Sequence, residues 1–279
     1  MRERKSCRGE LVQVDGSHHD WLEGRGPWMV LMGYIDDATG RVFGRFYDYE
    51  GTMPGLDSFY RYAKCYGLPQ ALYLDKHTTY RSTGKLSMED ELRGKKKPQS
   101  QFQRALEERL GVSVIHANSP QAKGRIERLF RTFQDRVVKE MRLRGVKSKE
   151  KANAFLEEYL PVYNRRFMRV AKSKVDLHRK IPRSIQLKQA LSIQTERVLR
   201  NDNTVRHEGK FYQIQERWTR RRPKRIVVQE RVDGKLYLMD RSCELRYKEI
   251  KVPPKQKEES QLRGFTRPRA RPLAKDNPW

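Results

Sequence analysis

The chain has 279 residues, enough for one or two domains with a buried core. Lys and Arg total 61 against 35 Asp and Glu, a formal net charge of +26, which calls for a polyanionic partner: nucleic acid first, with an anionic membrane surface as the rival. Mean hydropathy is −0.94, and the longest apolar stretch, near Trp28 to Ile35, is far too short to span a bilayer. No apolar leader opens the sequence, which speaks against secretion. Cys7, Cys65 and Cys243 are isolated from one another, with neither zinc-ligand spacing nor an even disulfide set, as in a reducing cytoplasm.

In chain order, Leu11, Val12 and Val14 predict a strand ending at Asp15, and Trp28 to Ile35 a central strand. Asp36-Asp37-Ala38-Thr39-Gly40 has Asp and Gly where a hairpin turn wants them, and Arg41 to Tyr47 returns as a third strand. Leu56, Phe59, Tyr60, Ala63 and Tyr66 recur at helical spacing until Gly67-Leu68-Pro69. Ala71 to Leu74 is a fourth strand. From Arg81 to Ser100 periodicity is lost and Lys95, Lys96 and Lys97 gather, which predicts a basic loop. Phe102, Leu106 and Leu110 mark a helix closed by Gly111, and Val112, Val114 and Ile115 a fifth strand. The longest helix is predicted over Gln121 to Arg144, another over about Lys149 to Phe167. The order β-β-β-α-β-α-β-α-α predicts a mixed five-stranded sheet flanked by helices, an α/β architecture of the ribonuclease-H type.

Beyond Phe167 the pattern changes. Arg165 to Arg183 reads as a basic connector. Val198 to Ile250 carries short strands between turn signals at Asn201-Asp202-Asn203, Glu208-Gly209-Lys210 and Asp233-Gly234-Lys235, which predicts a small, SH3-like β-barrel. Pro253 to Trp279 is rich in Pro, Lys and Arg, without periodicity, and reads as a disordered basic tail.

Three carboxylates stand out in this cationic chain. Asp15 and Asp75 each follow an apolar strand, and Glu127 opens the long helix. Acidic ligands on rigid supports suit two divalent cations that clamp the attacking and leaving phosphate oxygens. Taken singly, each has a plainer reading: Asp15 and Asp75 as turn or cap residues, Glu127 as a surface ion pair with Lys123 and Arg131. His18, His19, His77 and His116 show no His-Glu-x-x-His spacing, so a zinc hydrolase is poorly supported. Trp21, Trp28 and Trp218 read as packing residues before base-stacking ones.

The motifs resemble the catalytic core of DDE transposases in the retroviral-integrase superfamily, closest to the ISNCY-type insertion-sequence transposases. The residues that carry this are Glu10-Leu-Val-Gln-Val-Asp-Gly-Ser-His-His-Asp-Trp-Leu22, Ile35-Asp-Asp-Ala-Thr-Gly40, Tyr73-Leu-Asp-Lys-His77 and Ala117-Asn-Ser-Pro-Gln-Ala-Lys-Gly-Arg-Ile-Glu-Arg128, with Tyr163-Asn164 and Asp176-Leu177-His178 behind them. The resemblance implies Asp15, Asp75 and Glu127 as catalytic, metal-binding triad for two Mg²⁺ or Mn²⁺ ions. It also implies DNA ends and target DNA as partners, no membrane, a homo-oligomer, and a cytoplasmic, nucleoid-associated location. Two departures are visible. Lys76-His77 stand where the superfamily often has Asn-Gly. Asp75 and Glu127 are 52 positions apart, farther than the usual pattern, and the basic loop at 81–100 supplies the excess because long surface insertions are cheap.

The implied organisation is a lead-in over 1–9, a catalytic domain over 10–168, a basic linker over 169–194, a DNA-binding β-barrel over 195–250 and the tail over 251–279. The candidate DNA contacts are Asn118, Gln121, Lys123, Arg125, Arg128 and Arg131 around Glu127, and Arg220, Arg221, Arg222, Lys224 and Arg225 in the β-rich part. The helix-turn-helix segments that usually precede such a core do not precede Glu10 here, as in a shortened transposase or one whose end recognition is supplied by another subunit. Two alternatives stay open: a ribonuclease-H-like nuclease that cuts without joining, and an inactive remnant that only binds nucleic acid.

Overall fold

Alternating apolar residues build an antiparallel meander of β1 (Val12–His19), β2 (Met29–Asp36) and β3 (Val42–Tyr47). The computed structural model describes residues 3–75, 98–116, 124–216, 223–241 and 243–251. β4 (Ala71–Leu74) and β5 (Ser113–His116) add in parallel, so the five-stranded sheet has the order β3-β2-β1-β4-β5. β2 is buried along its whole length, as a central strand covered on both faces must be. β1 runs past the predicted end at Asp15 to His19, because β2 supplies ladder partners as far as Met29.

Helices cover both faces. On one side α1 (Thr52–Tyr66) and α2 (Gln101–Arg104, running on as a π-helical turn over Ala105–Arg109) pack Leu56, Phe59 and Phe102 against Val12, Val14, Val30, Met32, Leu72 and Leu74. On the other, α3 (Gly124–Leu143) and α4 (Lys149–Phe167) pack Ile126, Phe130, Phe133 and Phe155 against Leu31, Ile35 and Phe46. This is the ribonuclease-H-like mixed sheet. Ser100 and Ser148 cap α2 and α4 by accepting the Gln103 and Lys151 N–H groups at 3.1 and 3.3 Å. α4 also seals the sheet edge. Asn164 accepts the Val42 N–H at 2.7 Å and donates to the Val42 carbonyl at 2.8 Å, and Asn153 does the same for Phe46 at 2.8 and 3.1 Å.

The stretch predicted as a linker over 169–194 is laid against this layer. Residues Arg8 and Asp176 form one β-bridge and Leu68 and Arg179 another. His178 is pinned from two sides: its Nδ1–H donates to Asp176 at 2.6 Å, which leaves Nε2 to accept the buried Tyr62 hydroxyl at 2.7 Å. α5 (Leu187–Ala190) then leads into an all-β part of two sheets, β11-β10-β9-β6 and β12-β8-β7. Its strands are β6 (Ser192–Val198), β7 (Thr204–His207), β8 (Lys210–Ile214), β9 (Arg225–Arg231), β10 (Leu236–Asp240), β11 (Cys243–Leu245) and β12 (Tyr247–Ile250). Both sheets share one core of Val205, Tyr212, Ile214, Ile226, Val228, Leu238 and Leu245. Arg109 joins the two parts by donating to the Ala190 and Ser192 carbonyls at 2.9 and 3.1 Å. Burial, then the neighbouring Arg104, lowers its pKa to about 10. Most of the predicted basic loop and nearly all of the predicted tail lie outside the described residues.

Candidate functional site

Side chains alternate across β1. Val12 and Val14 enter the core beneath α1, so Gln13, Asp15 and Ser17 face α3. β1 and β4 are parallel neighbours with Val12 opposite Leu72 and Gln13 opposite Tyr73. The β1–β4 pairing ends at Gln13 and Tyr73 and β4 itself at Leu74; the same parallel register continued by two residues would bring Asp15 beside Asp75. Asp15 is partly buried, while Asp75 and Glu127 are exposed.

α3 crosses this face at a fixed height. Near its start, the Arg125 guanidinium meets Asp37 Oδ1 at 2.7 Å, and Gln13 donates to that same oxygen at 3.0 Å. Farther along, Gln134 donates to Ser17 Oγ at 3.2 Å. Between them, Phe130 lies over Gly33, the residue paired with Asp15 across β1 and β2; a Cβ on Gly33 would come within 2.7 Å of the ring. Asp15 therefore lies between Gln13 and Ser17 along the strand, and Glu127 between Arg125 and Gln134 along the helix. The two acids are bracketed by the same contacts.

The three carboxylates do not form a tight group. Among the described residues, the three-membered set whose ligand atoms all lie within 4.8 Å of one another is His207, Glu208 and Glu230, in the all-β part. There His207 Nε2 is 3.0 Å from Glu230, tying the two sheets together. A cavity of about 680 Å³ opens at the β3 edge between α1 and α4, lined by Gly44, Tyr60, Leu156 and Arg165 among others. None of the expected site residues lines it.

The basic residues divide. Arg128 and Arg131 are exposed on α3 beside Glu127. Arg125 is a correction: it is 8% exposed and ion-paired with the wholly buried Asp37, so its charge belongs to the interior rather than to a DNA-facing surface. Arg4 lies close by, donating to the Asp37 carbonyl at 2.9 Å. Burial, then the guanidinium groups of Arg125 and Arg169, lower its pKa. Lys224 and Arg225 are exposed at the start of β9, and Arg225 contacts the exposed Glu196 at 3.3 Å. Asn118, Gln121, Lys123, Arg220, Arg221 and Arg222 lie outside the described residues, as do His77 and Trp218. Trp21 is core, as its sequence context predicts, whereas Trp28 is 57% exposed and rests against His18 with ring centroids 5.1 Å apart.

Gln13 and Asp37 fall within the motifs of the resemblance, but nothing in the sequence announces the contacts that they, Gly33 and Phe130 make. Asp37 sits in an Asp-Asp-Ala-Thr-Gly run with the composition of an ordinary turn. The one cue to its role is Arg125, a long cation on the otherwise apolar face of an amphipathic helix.

No family model matches the chain. It is 42% identical over 179 residues to the putative transposase y4bF of Sinorhizobium fredii (strain NBRC 101917 / NGR234), an overlap of 64% of this chain and 38% of that protein. It is 31% identical over 248 residues to the transposase for insertion sequence IS1202 of Streptococcus pneumoniae, covering 85% of this chain and 50% of that protein. The chain thus spans half or less of the curated relatives it matches. Among solved structures, the BIV integrase catalytic core overlaps 52% of this chain and 79% of its own at 16% identity and a TM-score of 0.38. The HTLV-2 integrase catalytic core in complex with magnesium overlaps 58% and 88% at 16% identity and 0.42. At such scores these overlaps add nothing to the fold assignment, which rests on the sheet order.

Proposed function

We propose that this chain, related by sequence to the transposases of Sinorhizobium fredii and Streptococcus pneumoniae, is the catalytic portion of a DDE-type transposase that cuts and joins DNA. The observation that supports the reading is the parallel pairing of β1 and β4, Val12 opposite Leu72 and Gln13 opposite Tyr73, on neighbouring strands that lead to Asp15 and to Asp75. All three donors are carboxylate oxygens, hard ligands that fit Mg²⁺ or Mn²⁺ rather than a softer metal. Asp15, Asp75 and Glu127 would hold two such ions, which when bound offset the charge on the entering and leaving phosphate oxygens. The three are not within 4.8 Å of one another as they stand, so this reading requires them to draw together.

The chain's own residues then have simple tasks. Asp15, on a paired strand, fixes the position of the reacting phosphate. Arg128 and Arg131 hold the flanking backbone, with Asn118, Gln121 and Lys123 as further contacts and Arg220, Arg221, Arg222, Lys224 and Arg225 as a second grip. A water oxygen attacks the phosphodiester at the element end and expels a 3′-hydroxyl, and that hydroxyl attacks target DNA in turn. Each step exchanges one P–O bond for another, so no Ser or Tyr nucleophile is involved. Joining two ends implies a homo-oligomer acting on DNA in the cytoplasm. Among the described residues no helix is long and apolar enough to cross a membrane.

The test is product analysis after the purified chain meets a pre-cut end oligonucleotide and supercoiled plasmid in Mg²⁺ or Mn²⁺. Joined products support the transposase reading. Nicked plasmid without joining supports a nuclease, and binding without either product an inactive remnant.

A further inference from the structure

One buried oxygen connects the supports of two of the three acids. Asp37 Oδ1 receives Gln13 Nε2 at 3.0 Å and Arg125 NH1 at 2.7 Å. Gln13 is two residues before Asp15 on β1, and Arg125 two residues before Glu127 on α3. The Asp37 side chain is completely buried, Gln13 is 0% exposed and Arg125 8%. Asp37 is itself anchored. Its second oxygen, Oδ2, accepts the Lys5 N–H at 2.9 Å, its N–H donates to the Leu11 carbonyl at 2.9 Å, and its carbonyl accepts Arg4. A buried charge of this kind contributes little net stability over apolar packing, but it penalises every arrangement that separates its partners.

We propose that Asp37 is a positioning residue for the carboxylate triad, holding the Asp15 strand and the Glu127 helix in one register so that both acids reach the same cations. The proposal rests on the reading of Asp15, Asp75 and Glu127 as metal ligands. Partners one step behind a metal ligand typically change metal affinity by about 10- to 100-fold when removed. Asp37 acts one step farther still, through backbone, so the lower end applies.

The experiment titrates Mn²⁺ into the intact chain and follows the free-ion signal by electron paramagnetic resonance, alongside a thermal melt and DNA binding. Asp37→Asn keeps the shape, and it is expected to weaken Mn²⁺ binding about tenfold. Because it leaves the Arg125 charge buried and unpaired, the variant is also prone to misfold. The double variant Asp37→Asn/Arg125→Met removes both charges together and keeps the volume. If the double variant melts like wild type yet still binds Mn²⁺ about tenfold more weakly, the positioning role stands. If Mn²⁺ affinity returns with the fold, Asp37 is only a structural ion-pair member and the proposal falls. Wild-type protein that fails to bind Mn²⁺, or an Asp75→Asn variant that binds it as well as wild type, would instead break the triad reading beneath it.

Discussion

Gly33 and Phe130 touch where no side chain on the strand is possible: a Cβ at Gly33 would lie 2.7 Å from Phe130 Cε1. The contact lets α3 settle onto the sheet beside Asp15, which is paired with Gly33. Ring and helix must shift to admit even a methyl group, and overpacking of this kind costs about 1–3 kcal/mol. Gly33→Ala is therefore expected to lower joining activity by more than its melting shift explains, because Glu127 moves with the helix. Activity at a temperature where the variant is fully folded checks this.

The sealed edge of β3 yields a stability prediction. Asn164 satisfies both backbone groups of Val42 from within a buried contact. Asn164→Leu leaves an N–H and a carbonyl without those bonds, at about 1–3 kcal/mol for each. Chemical denaturation should show a loss of about 2–6 kcal/mol for the two groups together, with Asn153→Leu giving a similar loss at Phe46.

Acid should loosen the strap that carries His178. Burial would raise the Asp176 pKa, but the backbone N–H and imidazole of His178, and Arg8, outweigh it, so the folded value lies below the ordinary 3.8. A carboxylate with a depressed folded pKa contributes stability that is complete above its unfolded pKa and lost as pH falls through the folded one. The stability difference between wild type and Asp176→Asn is expected to shrink as pH falls through the ordinary carboxylate range and below it. Denaturation at stepped pH measures it, and a constant difference would contradict the assignment.

DNA binding should depend steeply on salt. Arg128 and Arg131 are exposed beside Glu127, and each phosphate contact removed should reduce the slope of log affinity against log salt by about one. Arg128→Ala and Arg131→Ala are each expected to do so without favouring any sequence. Arg125→Met is expected to leave the slope unchanged, since that guanidinium is buried against Asp37.

Much of this was legible from the chain. The five strands and the main helices follow from apolar periodicity at two and at 3.6 residues, whereas the grouping of Asp15, Asp75 and Glu127 comes from the family resemblance. The failures have physical causes. β1 continues past Asp15 because its pairing partner is set by the β2 ladder, which polar His18 and His19 do not advertise. The stretch over 169–194 reads as a basic connector, yet Asp176, His178 and Arg179 dock by polar contacts to Arg8, Tyr62 and Leu68, and such contacts have no periodicity. Asp37 looked like a turn residue because a turn and a buried clamp call for the same short carboxylate. Arg125 looked like a surface cation because helical spacing tells which face a residue shares, not that a buried acid waits beneath it.

The most direct measurement is strand transfer by Asp75→Asn in Mg²⁺, using a pre-cut end and a plasmid target, beside its melt and its DNA affinity. No joined product is expected, with melting and DNA binding close to wild type, since an exposed carboxylate becomes an amide of the same shape. Joining at the wild-type rate would contradict the claim that Asp75 shares cations with Asp15 and Glu127.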